Sequence, residues 1–157
     1  RFVCGDSTIG ARFEAIRHEV LCAGRDAGTL RDQVLAMRQR MREGHPNPSG
    51  LFDLKHDAGG IVDVEFCVQY LVLRDCRIAP ELADNVGNIA LLRRMGAAGR
   101  IAGPVAAAAA DAYRELRRRQ HVVKLAGAEY ARVPPGEMAA VRAAVRELWA
   151  VTLETAP

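Results

Sequence analysis

Two carboxylates at close spacing are the first feature of this sequence that could support chemistry. Asp63 and Glu65 lie in the segment 51–76, which combines charge, glycine and a long apolar run more densely than the rest of the chain. A strand over residues 61–66 would point both carboxylates to one side, where they could hold Mg²⁺ for nucleotidyl transfer. A helix would separate them by about 200°. Because the apolar run continues to residue 73 and is rich in leucine, the sequence favours the helix.

Two glycines and two basic side chains come just before this predicted helix. Gly59 and Gly60 would lie at the helix start, where free backbone N–H groups and the positive end of the dipole attract anions. Lys55 and His56 would add cationic contacts to a phosphate. Alternatively, the glycines form only a tight turn, and Asp63 is only a first-turn acid that favours the helix dipole. The residues alone leave both interpretations open.

Helical geometry gives the remaining polar residues of this segment separate roles. Asp63 shares a helix face with Arg74, so it could orient Lys55 or Arg74, or bind a metal through water. Glu65 shares another face with Gln69. We expect those two side chains to anchor the helix to its neighbours.

The elements that must position these residues are mainly helices. Half of the residues are apolar, 26% are charged, and Ala, Arg and Leu are abundant, which favours helix. The sequence predicts an all-α bundle of five or six helices, folded as a single helical domain over 1–157, with a short extended segment near residues 51–56. The predicted helices cover residues 7–23, 29–43, 61–73, 85–95, 104–127 and 137–153.

Local signals give further expectations for the first half of the chain. Ser7 or Thr8 is the expected cap of the first helix. The short connection Gly24–Gly28 predicts an antiparallel hairpin of the first two helices. The extended segment has no evident strand partner in this sequence, so we expect a partner outside it.

Three surface features of the predicted helices can be interpreted in advance. Ile9, Phe13, Ile16, Val20 and Leu21 repeat near helical spacing and give the first helix an apolar side. Arginines on the second helix, including Arg38, form a basic face, interpreted as solvated or as a contact for phosphate or an acidic partner. Asp84 is the expected cap of the 85–95 helix.

Composition also limits the class of protein. The net charge of +3 is too small to indicate nucleic-acid binding by itself, and the apolar run is too short to span a bilayer. No apolar signal-peptide region is visible. The four cysteines lack zinc-ligand spacing and are expected to be buried, reduced thiols in a cytoplasmic protein. Because the chain starts with Arg1 rather than Met, we expect a piece of a longer protein.

The central stretch FDLKHDAGGIVDVEFCVQYLVLR resembles the signature of the glutamine synthetase adenylyltransferase family. The preceding segments GDSTIGARFEAIRHEV and TLRDQVLAMRQRMRE look like the helices before that signature. Downstream, Asp84-Asn85-Val86 is similar to the family's S-D-N-V segment. The uridylyltransferases of the nitrogen signal protein share only a looser G-G-x-x-D/E pattern.

The resemblance implies a part of a two-headed enzyme. In that family one nucleotidyltransferase head attaches AMP from ATP to a tyrosine of glutamine synthetase, the other removes it, and a helical domain follows each. The form G-G-I-V-D-V-E-F implies the C-terminal helical part of the attaching head. The family's metal-binding G-S…D-x-D combination does not occur here, so we expect neither catalytic residues nor metal ligands in this chain.

The resemblance also assigns expected roles to residues, cofactors and partners. The nucleotide side of the cleft is expected to include Lys55, His56, Gly59, Gly60 and Asp63. Structural support is expected from Glu65, Gln69, Arg74, Asp84 and Asn85. ATP and Mg²⁺ serve the full-length enzyme, and none is required by this chain alone.

The expected partners are glutamine synthetase, the nitrogen-regulatory signal protein and the upstream catalytic domain. Two alternatives remain: a non-enzymatic docking module for glutamine synthetase or the signal protein, and the equivalent domain of a signal-protein uridylyltransferase.

Overall fold

The computed structural model describes residues 3–155, which form a bundle of six α-helices with one small β-ribbon. The predicted all-α class is therefore confirmed. The helices are α1 Ser7–Cys22, α2 Ala27–Glu43, α3 Ile61–Asp75, α4 Asn88–Ala97, α5 Gly103–Leu125 and α6 Ala139–Trp149. The strands are β1 Phe52–Asp53 and β2 Arg132–Val133. Within residues 3–155, no helix has the length and apolar character needed to cross a membrane.

Helix α3 is the centre of the bundle. Ten of its fifteen residues are buried, and it packs against each of the other five helices. A helix that is apolar nearly all round must be surrounded by other elements to remove its side chains from water. The apolar run of the signature segment therefore places that segment in the middle of the fold.

Helices α4 and α5 approach each other closely through small residues. A Cβ atom added at Gly96 would lie 2.8 Å from the Cβ of Ala106, and α5 buries further alanines on the same side. The predicted helix 85–95 continues through Gly96 to Ala97. Gly96 is inside the helix because the contact with α5 leaves no room for a side chain.

Aspartates cap the first two helices, and the first of them replaces the predicted cap Ser7 or Thr8. Asp6 accepts a hydrogen bond from the Thr8 N–H at 2.7 Å, and Asp26 accepts one from the Thr29 N–H at 2.8 Å. A carboxylate at this position also interacts favourably with the positive end of the helix dipole. The predicted cap Ser7 is the first residue of α1.

The predicted cap of α4 is also wrong. Helix α4 begins at Asn88, with Gly87 before it. Asp84 instead forms an ion pair with Arg94 across 2.6 Å.

The last predicted helix, 137–153, is a 3₁₀ turn (Pro135–Met138), then α6, then a π turn (Ala150–Glu154).

Helix α1 does not form the predicted hairpin with α2. Its main neighbours are α3 and a 3₁₀ turn at Pro80–Ala83, whereas α2 packs on α3. A disulfide joins Cys22 at the end of α1 to Cys76 just after α3. The prediction of reduced thiols is therefore wrong for these two residues, because packing on α3 brings their Cα atoms to 4.7 Å.

The β-ribbon corrects another expectation. Strand β1 pairs antiparallel with β2 of the same chain, with Phe52 opposite Val133 and Asp53 opposite Arg132. The expectation of a partner outside this sequence is wrong. A two-residue strand that pairs with another about eighty residues away leaves no local pattern from which to predict it.

Candidate functional site

A buried ion pair lies at the start of α3. Arg38 on α2 is 2% exposed and Asp63 is 4% exposed. The Arg38 Nε atom donates to the Asp63 Oδ1 atom at 2.6 Å, and the backbone N–H of Gly59 donates to Oδ2 at 2.7 Å. Both carboxylate oxygens are thus engaged by the protein. The expected pairing of Asp63 with Lys55 or Arg74 is wrong.

Arg38 also ties the ion pair to the loop before α3. Its Nη2 atom donates to the backbone carbonyl of His56 at 2.7 Å, and its Nη1 atom is buried without a hydrogen-bond partner. The sequence did not distinguish Arg38 from the exposed arginines of α2. A salt bridge between residues 25 positions apart depends on tertiary packing and has no helical-spacing signal.

The two glycines form a junction that a larger residue would not fit. Gly59 has φ +87°, a backbone conformation that L residues rarely adopt. A Cβ atom on Gly60 would lie 2.9 Å from the carbonyl oxygens of both Leu54 and Asp57. Each of these carbonyls already accepts a backbone hydrogen bond from the start of α3. The glycines therefore allow the preceding loop to cover the end of the helix.

Backbone N–H groups at the start of α3, which the sequence suggested as an anion-binding site, are already hydrogen-bonded within the protein. The N–H groups of Gly60, Ile61 and Val62 donate to the carbonyls of Asp57, Leu54 and Lys55 at 2.9, 2.9 and 3.1 Å. The Gly59 N–H is bound to Asp63. The loop thus caps α3 with its own carbonyls, and a ligand at this helix end would have to displace them.

Two aspartates hold the loop that carries Lys55. Asp53 Oδ1 accepts hydrogen bonds from the backbone N–H groups of Lys55 and His56, each at 2.9 Å. Asp57 Oδ2 accepts from the Asp53 N–H and from Asn47 Nδ2, each at 2.8 Å. Lys55 is exposed on this fixed loop. Its side chain remains accessible to a ligand.

The His56 carbonyl and the Asp63 carboxylate both bind Arg38, but the His56 ring lines a different cavity from Asp63. Its ring stacks on His45 with the ring centroids 4.0 Å apart. It lines a cavity of about 310 Å³ together with Asp53, Tyr130 and Arg132. Burial, and then the neighbouring His45, lowers the pKa of His56 below its ordinary value.

A second cleft adjoins the ion pair. It measures about 790 Å³ and is lined by Asp63 and Arg38 together with residues of α6, among them Arg146 and Trp149. The backbone of the predicted nucleotide-side residues meets at this junction, but their side chains do not line one common cavity. Asp63 lines this cleft, whereas His56 lines the smaller cavity.

The residues expected to give structural support have different positions. Glu65 accepts a hydrogen bond from the Tyr113 hydroxyl at 3.0 Å, and that hydroxyl accepts one from Asn88. Burial raises the pKa of Tyr113. Arg74 donates two hydrogen bonds of 2.7 Å to its neighbour Asp75.

Three other residues that were expected to give structural support are exposed at a groove, away from the junction at the start of α3. This groove, of about 300 Å³, has a mainly apolar lining, and its polar members include Gln69, Asp84 and Asn85. In the described part of the chain, no group of three or more His, Cys, Asp or Glu residues could hold a metal ion.

The fold places this segment in the all-α class. Its described residues form a fixed loop and clefts and do not assemble a metal centre. No protein-family model matches the chain. Individual proteins do match it. They are bifunctional glutamine synthetase adenylyltransferase/adenylyl-removing enzymes, and the chain is similar to one segment of them.

Three relatives illustrate the extent of this similarity. The chain is 55% identical over 154 residues to the enzyme of Bordetella bronchiseptica, which covers 98% of the chain. It is 52% identical over 156 residues, or 99% of the chain, to that of Aromatoleum aromaticum. It is 56% identical over 149 residues, or 95%, to that of Ralstonia nicotianae. The chain spans 16% of the length of each relative. The resemblance of the signature segment is thereby confirmed.

Proposed function

We propose that this chain is the C-terminal helical domain of an enzyme that transfers AMP from ATP to a tyrosine of glutamine synthetase. The observation that carries this proposal is the similarity along 98% of the chain to one segment of a glutamine synthetase adenylyltransferase. The tyrosine hydroxyl would attack the α-phosphorus of ATP in the full-length enzyme. The proposed site of action is the cytoplasm.

The role we propose for residues 53–63 is to present Lys55 at the nucleotide side of the catalytic cleft. Lys55 is exposed, and its loop is fixed by hydrogen bonds to Asp53. An exposed ammonium group on a fixed backbone suits a phosphate oxygen. Gly59, Gly60 and Asp63 would act through the loop, as positioning residues, and His56 would border it.

The cofactors proposed for the full-length enzyme are ATP and Mg²⁺. Asp63 does not fit a metal ligand, because Arg38 and Gly59 already occupy both of its carboxylate oxygens. We therefore assign the metal to the upstream catalytic domain. There, Mg²⁺ would balance the negative charge of the ATP phosphates.

The test of the Lys55 assignment is the variant Lys55→Ala in the full-length enzyme. Losing a charge-assisted contact of about 1.5–3 kcal/mol in the transition state lowers kcat/KM for AMP transfer by about tenfold to a hundredfold. Incorporation of labelled AMP into glutamine synthetase measures this rate. Lys124→Ala is the matched control, since it removes another exposed lysine near the end of α5. An unchanged kcat/KM in Lys55→Ala would remove Lys55 from the nucleotide side.

A docking role for glutamine synthetase or the nitrogen signal protein is the second candidate, favoured by exposed arginines such as Arg40 and Arg42 on α2. The isolated chain separates the two roles. We expect it to transfer no label from ATP, and transfer by this chain alone would refute that expectation. Binding of glutamine synthetase without turnover would support docking.

A further inference from the structure

Helices α2 and α6 both pack on α3, and a cleft opens between them. We call it the α2–α6 cleft. Its volume of about 790 Å³ lies within the range of about 300–1,000 Å³ that is usual for small-molecule sites. Its lining joins side chains of both helices to the buried ion pair at the start of α3. A space of this size can hold an organic molecule.

Arginine side chains reach the α2–α6 cleft from both helices. Arg38 and Arg42 lie one turn apart on α2, and Arg146 lies in the last turn of α6. Arg42 and Arg146 are exposed, and within residues 3–155 their side chains form no ion pair or hydrogen bond. A cation in the last turn of a helix interacts favourably with the helix dipole, but Arg40 has the same advantage and does not line the cleft. The dipole therefore does not explain why three arginines meet at one space.

The buried arginine of this cleft has a donor without a partner. Arg38 is 2% exposed, and its Nε and Nη2 atoms are held by Asp63 and by the His56 carbonyl. Its Nη1 atom is buried and makes no hydrogen bond. Because the other two nitrogens are fixed, the guanidinium cannot turn to find a partner for Nη1 without losing those bonds. An anionic oxygen at the inner end of the cleft would remove this unfavourable state.

The charges around the cleft are more positive than negative. Arg142 lies one turn before Arg146 on α6, and burial and then Arg146 lower the pKa of Arg142, with Asp57 opposing them. The carboxylate of Asp63 is already paired within the protein. Glu154, which is exposed, is the other acid of the lining. Three arginines thus face two acids, one of which is neutralised.

We infer that the α2–α6 cleft binds a small organic molecule through a phosphate group. Arg42 and Arg146 would hold the phosphate oxygens, because a guanidinium group matches phosphate geometry with paired hydrogen bonds. Trp149 is partly buried in the same lining and offers an apolar ring to the rest of the ligand. Lys55 does not line this cleft, so the contact differs from the one proposed for Lys55. The inference does not rest on the proposed function.

Fluorescence of the 157-residue chain tests the inference, because Trp149 is its only tryptophan and lies in the cleft. Phenyl phosphate is titrated at constant ionic strength, and phenol is the comparison without a phosphate. We expect a saturable change of fluorescence with phenyl phosphate and none with phenol. Unfolding in urea, followed by circular dichroism, should also shift to higher urea with phenyl phosphate. An equal response to phenol would overturn the inference, as would the absence of both effects.

Variants of exposed residues show whether the charges of the cleft are responsible. Arg42→Gln and Arg146→Gln should each weaken binding of phenyl phosphate about tenfold, through loss of a charge-assisted contact. Glu154→Gln should strengthen it several-fold, because it removes a negative charge from the lining. Arg40→Gln, in the same last turn of α2 but outside the cleft, is the matched control and should change the affinity by less than about twofold. Equal weakening by Arg40→Gln and Arg42→Gln would indicate general attraction to a basic surface and would overturn the inference.

Discussion

At the scale of single residues, the strongest constraint is the contact between Arg38 and Asp63. The same 2.6 Å separation joins Arg114 and Asp111, but those side chains are 51% and 69% exposed. Water solvates the exposed charges whether or not they are paired, whereas the buried charges depend on each other. The two pairs therefore have similar geometry and different energetic consequences.

Replacing Asp63 by Asn should destabilise the protein strongly. The variant leaves the Arg38 charge buried without its counter-charge, which costs about 3–5 kcal/mol of unfolding free energy. Asp111→Asn makes the same chemical change in the exposed pair and should cost less than about 1 kcal/mol. Urea unfolding measures both.

A double variant separates loss of the charge pair from loss of shape. Arg38→Met combined with Asp63→Leu removes both buried charges and should recover part of the stability lost in Asp63→Asn. An equal free energy of unfolding for Asp63→Asn and Asp111→Asn would show that the burial of the first pair has no energetic effect.

His56 should make stability depend on pH. Burial and the neighbouring His45 lower its pKa, with Lys55 and Arg38 acting in the same direction and Asp53 opposing them. The folded state therefore favours the neutral ring. Its contribution to stability is complete above the unfolded pKa of about 6.5 and is lost as pH falls through the lower folded value. Unfolding in urea at about pH 7.5 and about pH 5 should show a decrease in stability on acidification.

The variant His56→Gln should reduce this decrease. His121→Gln, at an exposed position on α5, is the control and should keep the wild-type dependence. An identical pH profile in wild type and His56→Gln would exclude His56 as the source.

At the scale of elements, the junction before α3 depends on the size of Gly60. Gly60→Ala places a methyl group against the carbonyls of Leu54 and Asp57, which also accept hydrogen bonds at the start of α3. We expect a loss of about 1–3 kcal/mol. Gly103→Ala, where a Cβ meets nothing within 4 Å, should be neutral or stabilising by less than about 1 kcal/mol. Equal stability of these two variants by thermal unfolding would contradict the steric explanation.

The elements also show which sequence signals are sufficient. Helix α3 was predictable because its apolar residues exceed what one helix face can hold. The apolar side of α1 was recognisable from its spacing, but spacing cannot tell whether the bundle or another surface covers it. Strand β2 and the Arg38 contact were not predictable, since both depend on pairing between distant parts of the chain.

The candidate site was predictable to a similar degree. The glycines and Asp63 were identified from sequence, and the glycines do form a tight junction. The orientation of Asp63 toward α2, and the placement of the His56 ring in a different cavity, follow only from three-dimensional packing. Whether Lys55 contacts a nucleotide stays a prediction.

At the scale of the whole molecule, the Cys22–Cys76 disulfide joins two helices across a sequence separation of 54. Reduction should lower the free energy of unfolding by about 2–4 kcal/mol, because the unfolded chain regains the freedom of a long loop. Cys22→Ser should make stability insensitive to reductant, whereas Cys4→Ser, at an exposed free cysteine, should remain sensitive. Detection of four free thiols in the unreduced protein would contradict this prediction.

The pairing of β1 with β2 has a consequence for how the protein is made. A ribosome releases Phe52 long before Val133, its partner in the ribbon, so β1 waits without a partner while α3, α4 and α5 emerge. The entropy of closing so long a loop favours pairing only after those helices have brought the two segments together. The loop that carries Lys55 therefore acquires its final anchorage late in synthesis, when most of the bundle already exists.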